Sequence, residues 1–130
     1  MGWDVVDSGF QVVLAGNVAE IVADSLPPEL KILLDENALS GEELSFYVGH
    51  PGGPRVLQAA EAALALPKGA LAASWESLAR FGNMSSTSVL FVLDEAIKTD
   101  HIEDSLGVMF AFGPAFCAEI GLLRVQDKAA

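Results

Sequence analysis

Two short segments hold the residues best equipped for chemistry. His50 stands two places after the apolar run Leu44 to Val48 and directly before Pro51-Gly52-Gly53-Pro54. An imidazole exchanges a proton near neutral pH, and a Gly-Gly turn lets a ligand or another backbone approach closely. Amides at the start of the helix that follows would favour developing negative charge. The plain alternative is a histidine that only closes the turn. Asn83 follows Gly82, a residue suited to ending a helix. There it is either an amide donor on a rigid junction, aimed at an oxyanion, or an asparagine that merely tolerates left-handed backbone angles. Ser85, Ser86, Thr87 and Ser88 carry hydroxyls, and they also suit the cap of the next helix.

The remaining candidates are weaker. Cys117 is the single cysteine, which excludes an internal disulfide and a cysteine-rich zinc site. Its setting, Phe116-Cys117-Ala118-Glu119-Ile120, reads as a strand without a flanking cation to stabilise a thiolate, so the expectation is a small buried hydrophobe. His101 lies near Glu103 and Asp104, but two further suitably spaced ligands are lacking. That segment reads as a solvated loop, and no metal is expected.

Elements must position these groups. Trp3 to Val6 and Phe10 to Leu14 alternate as β-strands around the turn Asp7-Ser8-Gly9, a hairpin pattern. Asn17 and Glu20 mark a helix start, with apolar residues to Leu26 and a stop at Pro27-Pro28. Glu29 to Leu39 reads as a second helix, and Leu44 to Val48 as a buried strand. Helices are expected over Arg55 to Leu66 and Leu71 to Phe81. Ser85 to Lys98 has strand propensity at Val89 to Leu93, but its length and the following Asp94 to Lys98 favour a helix. Leu106 to Phe112 and Phe116 to Val125 complete the pattern as strands around Gly113-Pro114. The order predicts an α/β fold with one mixed sheet covered by helices. His50, Asn83 and Pro114 all fall at element ends.

Composition limits the partners. The chain has 130 residues, within the range of one domain with a real core. It is 52% hydrophobic with a mean hydropathy of +0.41, more apolar than one small domain needs, as if a partner surface were missing. Eighteen acidic against seven basic residues give a formal charge of -11, the wrong sign for nucleic acid. It is equally awkward for an anionic coenzyme, whose basic anchor would have to come from Arg55 or from another chain segment. No run reaches the roughly 18 apolar residues of a membrane span, and no basic-then-apolar leader opens the chain. A cytoplasmic location is expected.

Taken together, His50-Pro51-Gly52-Gly53-Pro54, then Gly82-Asn83-Met84-Ser85-Ser86 with Val89-Leu90-Phe91-Val92-Leu93-Asp94-Glu95 behind it, then Phe112-Gly113-Pro114, resemble the type III polyketide synthases, the chalcone and stilbene synthase family. The opening Gly2 to Leu14 resembles the segment that precedes them, so the likeness runs along nearly the whole chain, in order. It implies an α/β chain forming the C-terminal half of a thiolase-like fold, with residues 1 to 130 as one C-terminal domain of a homodimeric subunit. It also implies a cysteine, histidine and asparagine set at the inner end of a coenzyme A tunnel. His50 and Asn83 occupy the family's histidine and asparagine positions. The cysteine belongs to the N-terminal half, which has no equivalent here, so Met1 is expected to head a fragment or a short gene product.

In that reading an acyl starter passes from coenzyme A to the cysteine, malonyl-CoA loses carbon dioxide, and its enolate attacks the thioester before the product cyclises. No cofactor is needed beyond the acyl-CoA and malonyl-CoA substrates. Gly52, Gly53 and Arg55 would border the pantetheine arm, and Ser85 and Pro114 the growing chain. Where plant members have a glycine-flanked loop, Ala111 and Ala115 flank Phe112-Gly113-Pro114 here, so a plant-type product does not carry over. A fatty-acid-type β-ketoacyl synthase shares the fold and both roles. A catalytically silent remnant that serves only as an interaction partner is the non-enzymatic alternative.

Overall fold

A computed structural model of the chain describes residues 2–13, 16–99, 103–113 and 117–126. The chain opens with β1 (Gly2–Val6) and β2 (Gly9–Val13), paired antiparallel as the alternation and the turn residues predict. They form a two-stranded sheet of their own rather than joining the main one. Residues 4–11 of this hairpin are all exposed, Val5 and Phe10 among them. None of these described side chains is buried, so they give the hairpin no reason to pair into the core sheet.

One helix, α1 (Val18–Glu36), replaces the two expected on either side of Pro27-Pro28. Asn17 sits at its cap and its carbonyl accepts the Ile21 N–H at 3.1 Å, although its side chain makes no capping bond. A proline inside a helix strips a hydrogen bond from the carbonyl four residues earlier. Those carbonyls belong to Ala23 and Asp24, both exposed, where water can satisfy them. The buried stripe Val22, Leu26 and Leu34 runs past the prolines, and its packing holds the helix together.

Ser40 and Glu43 then close a capping box around the single 3₁₀ turn Gly41–Glu43, the Ser40 N–H donating to Glu43 Oε2 at 2.7 Å. Next come β3 (Leu44–Gly49), α2 (Pro54–Ala63), α3 (Ala72–Phe81), α4 (Thr87–Lys98), β4 (Leu106–Phe112) and β5 (Ala118–Arg124). The main sheet has the order β3-β4-β5, with β3 and β4 parallel and β4 and β5 antiparallel. Three helices lie between the parallel strands, the connection such a pair requires.

Both faces of this sheet are covered, which explains why its strands read as nearly continuous apolar runs. On one face Val48 packs with Val89 and Val92 of α4, joined by the half-buried Phe46 and Met109. On the other, Phe110 packs with Val22 and Leu26 of α1, Val56, Leu57 and Ala60 of α2, and Leu71. A smaller cluster of Leu34, Leu44, Leu106 and Val108 closes the far end.

Candidate active site

The site is built at the C-terminal end of β3. Gly49 ends the strand beneath the Phe110 ring, where an added Cβ would lie 2.7 Å from Phe110 Cζ and 3.2 Å from Leu71 Cδ2. Its carbonyl accepts a hydrogen bond from Ser74 Oγ of α3 at 2.8 Å. Immediately after it, the His50 N–H donates to the Phe110 carbonyl at 2.9 Å, extending the β3–β4 pairing by one residue. The His50 side chain is 8% exposed. Its Nδ1 is buried without a hydrogen-bond partner among the described residues. Burial pushes the imidazole pKa below its ordinary value of 6.5.

The glycines do what the turn requires. The Gly52 N–H reaches back to the His50 carbonyl at 2.8 Å, and a Cβ on Gly52 would stand 3.3 Å from His50 Cδ2. Gly53 has φ +154°, a backbone angle that other residues rarely adopt. From there its carbonyl accepts the N–H groups of Val56 and Leu57, both at 3.1 Å, and starts α2. Pro54 occupies the first helical turn, where its missing N–H costs nothing. Arg55 is exposed on that turn.

Asn83 arrives from a different part of the chain. α3 ends at Gly82, φ +70°, whose N–H donates to the Leu78 carbonyl at 2.9 Å. The Asn83 side chain then donates through Nδ2 to the Gly52 carbonyl at 3.0 Å and accepts the Ser85 N–H on Oδ1 at 2.9 Å. The amide thus ties the two loops together across 31 residues. One Nδ2 proton remains for another acceptor. Ser85 takes φ +60°, and Ser88 is fully buried with its Oγ accepting the Met84 N–H at 2.6 Å at the start of α4. Of the four hydroxyl residues, Ser88 makes that bond at the helix entry, while Ser86 holds the cap position without a side-chain capping bond.

His50, Gly52, Gly53, Asn83 and Ser85 are therefore brought to one place, with Arg55 one residue into α2. Pro114 and Ala115, like His101, lie outside the described residues. The expectation for Cys117 is overturned: it is exposed, just ahead of β5, and not part of the core. Its backbone lies just past the last β4–β5 pair, Phe112 with Ala118, where its carbonyl accepts the Gly113 N–H at 2.9 Å. Its thiol donates to Glu119 Oε1 at 3.8 Å. Asp104, in the loop first weighed as a metal site, is exposed and pairs with Arg124 at 3.7 Å. Ser74 went unnoticed in the sequence. The available signal was a small polar residue on the inward face of an amphipathic helix, where both Ser74 and Ser77 are buried.

This α/β arrangement is that of the C-terminal part of the type III polyketide synthases. The chain superposes on 1,3,6,8-tetrahydroxynaphthalene synthase from Streptomyces coelicolor A3(2) with a TM-score of 0.87 at 31% identity, covering 98% of this chain and 36% of that one. It matches the polyketide synthase PKS-I of the brown alga Ectocarpus siliculosus with a TM-score of 0.87 at 28% identity, over 95% of this chain and 34% of that one. In sequence it is 43% identical, over 95% of its length, to 1,3,6,8-tetrahydroxynaphthalene synthase of Streptomyces peucetius subsp. caesius, of which it covers 33%. Residues 2–126 match the profile of the chalcone and stilbene synthases, C-terminal domain. The chain belongs to that family. It spans about a third of the length of the relatives it matches.

Proposed function

We propose that this chain is the histidine- and asparagine-bearing part of a type III polyketide synthase that condenses an acyl-CoA starter with malonyl-CoA, and that it makes no product alone. The observation that supports this best is the Asn83 amide bonded to the Gly52 carbonyl at 3.0 Å, which holds the asparagine beside the histidine loop. Decarboxylation of malonyl-CoA places negative charge on the thioester oxygen. Two donors, the His50 imidazole and the remaining Asn83 N–H, stabilise that charge without holding back the departing carboxylate. Burial favours neutral His50, the form suited to this step. A thiolate beside the ring in a complete subunit would pull its pKa back up and favour the imidazolium that pairs with cysteine during starter loading.

Gly52 and Gly53 leave room beside His50 for the pantetheine arm, and exposed Arg55 is the cation nearest in sequence for its phosphates. Ser85 and Pro114 border the growing chain. The cysteine-bearing N-terminal part is the partner this reading requires, and the subunit so completed is a cytoplasmic homodimer. Supporting the need for a partner, α4 exposes Leu90, Phe91 and Ile97 away from its buried face. The name of the 43% identical relative makes a hydroxylated naphthalene the first product to look for.

The test is to supply the cysteine-bearing part of a close relative and measure carbon dioxide release from malonyl-CoA. Release is expected from the pair and not from either piece. An acyl adduct on Cys117 of the isolated chain, seen by intact mass after incubation with acyl-CoA, would overturn the reading.

A further inference from the structure

We infer that Ser74 is a positioning residue for His50, acting through the peptide bond between Gly49 and His50. That peptide is held on both sides: its carbonyl accepts the Ser74 hydroxyl at 2.8 Å, and its N–H donates to the Phe110 carbonyl at 2.9 Å. The second bond is ordinary strand pairing. The first comes from a helix 25 residues further along the chain and has no part in the sheet.

His50 is 8% exposed, so its ring is held by packing, and where it packs follows from the course of the backbone that carries it. Nδ1 makes no hydrogen bond among the described residues. On the other side of the ring stands Gly52, which offers no side chain. The imidazole therefore inherits its direction from its own backbone. Phe110 and Leu71 crowd Gly49 where a Cβ would stand, and the Ser74 hydroxyl is the contact made to its carbonyl. Ser74 is 0% exposed, so its hydroxyl has no water to turn to, and losing it strands a buried carbonyl. Ser77, one turn on, supplies the contrast: it is 4% exposed, yet its Oγ has no partner among the described residues.

The inference rests on the proposed role of His50, but its test does not use activity. In the labelled 130-residue chain, the His50 ring signals are identified by their loss in His50→Gln. In the unaltered chain the ring Hδ2 should show contacts to the Gly52 α-protons and titrate below the ordinary histidine range. Ser74→Ala should weaken those contacts, move the titration back towards the ordinary value and speed amide exchange at His50 by roughly tenfold. Ser74→Thr, which keeps the hydroxyl, should restore all three, and Ser77→Ala should change none. If Ser74→Ala does not fold, Ser74→Cys, close in volume and a much weaker donor, carries the same expectation.

A folded Ser74→Ala or Ser74→Cys chain with unaltered His50 contacts and titration overturns the inference. So does a Ser77→Ala chain that shifts His50 as far, because the effect would then be loss of helix packing. Failure of the activity reading looks different: His50→Ala would leave carbon dioxide release from the completed synthase intact while the Ser74 results stood.

Discussion

His50 and Asn83 are both donors in the proposed mechanism, but their surroundings separate what each does. His50 is buried, its Nδ1 without a partner among the described residues, whereas Asn83 is exposed and anchored by two hydrogen bonds. In a synthase completed with its cysteine-bearing part, His50→Ala should slow both starter loading and decarboxylation, and should move the pH profile of cysteine alkylation upward. Asn83→Ala should spare loading and leave that profile in place. Its cost falls on decarboxylation, by a factor on the order of a hundred to a thousand, or about 3 to 4 kcal/mol, as for the loss of one oxyanion donor. Normal decarboxylation by Asn83→Ala would mean that the residue only ties the two loops. The burial of His50 also sets a pH dependence for the isolated chain. The folded pKa lies below the unfolded value near 6.5, so the unfolded state binds the extra proton first. Stability is therefore full above about pH 6.5 and falls as pH drops towards the folded pKa. Urea midpoints measured from pH 7.5 down to 5, above the range of ordinary carboxylates, should decline, and His50→Gln should flatten that decline.

At the scale of the elements, the crowding at the end of β3 yields a second expectation. A methyl group on Gly49 would meet the Phe110 ring at 2.7 Å, and Phe110 is 1% exposed, locked between α1, α2 and Leu71. Gly49→Ala should destabilise the chain by about 1 to 3 kcal/mol, the usual cost of overpacking. Urea unfolding checks this, and an unchanged midpoint would mean that the strand end gives way more easily than its packing implies. The same elements mark how far the sequence could be read. Alternation and turn residues located the hairpin, while apolar runs bounded by turn residues located β3, β4 and β5. Gly82 and the apolar spacing placed α3 and α4. Pro27-Pro28 misled, because a local stop rule ignores whether freed carbonyls reach water and whether a buried stripe continues beyond them. Cys117 misled for a related reason: residue type argued for burial, but its place just ahead of β5 left it exposed. His50 and Asn83 were legible as motifs, while the hydrogen bond that joins their loops, and the Ser74 contact behind them, depend on tertiary geometry that no local pattern encodes.

At the scale of the whole molecule, what stands out is apolar surface that the chain cannot cover by itself. On α4, Val89 and Val92 face the sheet, while Leu90 and Ile97, seven residues apart on one flank, are 57% and 62% exposed. Phe91 sits beside Phe81 with ring centroids 5.1 Å apart, and both remain partly open to solvent. Exposed apolar side chains grouped on one helix drive association, even with Asp94, Glu95 and Lys98 beside them. The isolated chain should therefore bind a hydrophobic dye and self-associate. Replacing Leu90 and Ile97 together with lysine removes the centre of that face. The change also brings the formal charge of -11 closer to zero, which on electrostatic grounds alone would favour association. A fall in self-association in this variant is thus attributable to the lost apolar face. Burying one Leu or Ile side chain is worth about 1.5 to 3 kcal/mol, so the double change should weaken association by at least about tenfold. Sedimentation across a concentration series reads this directly, with circular dichroism confirming that the inner face of α4 still packs. The same variant should fail to restore carbon dioxide release when mixed with the cysteine-bearing part. A native chain that sediments as a monomer, unfolds cooperatively and binds no dye would leave α4 without need of a partner, and the proposal of an incomplete synthase would lose its physical basis.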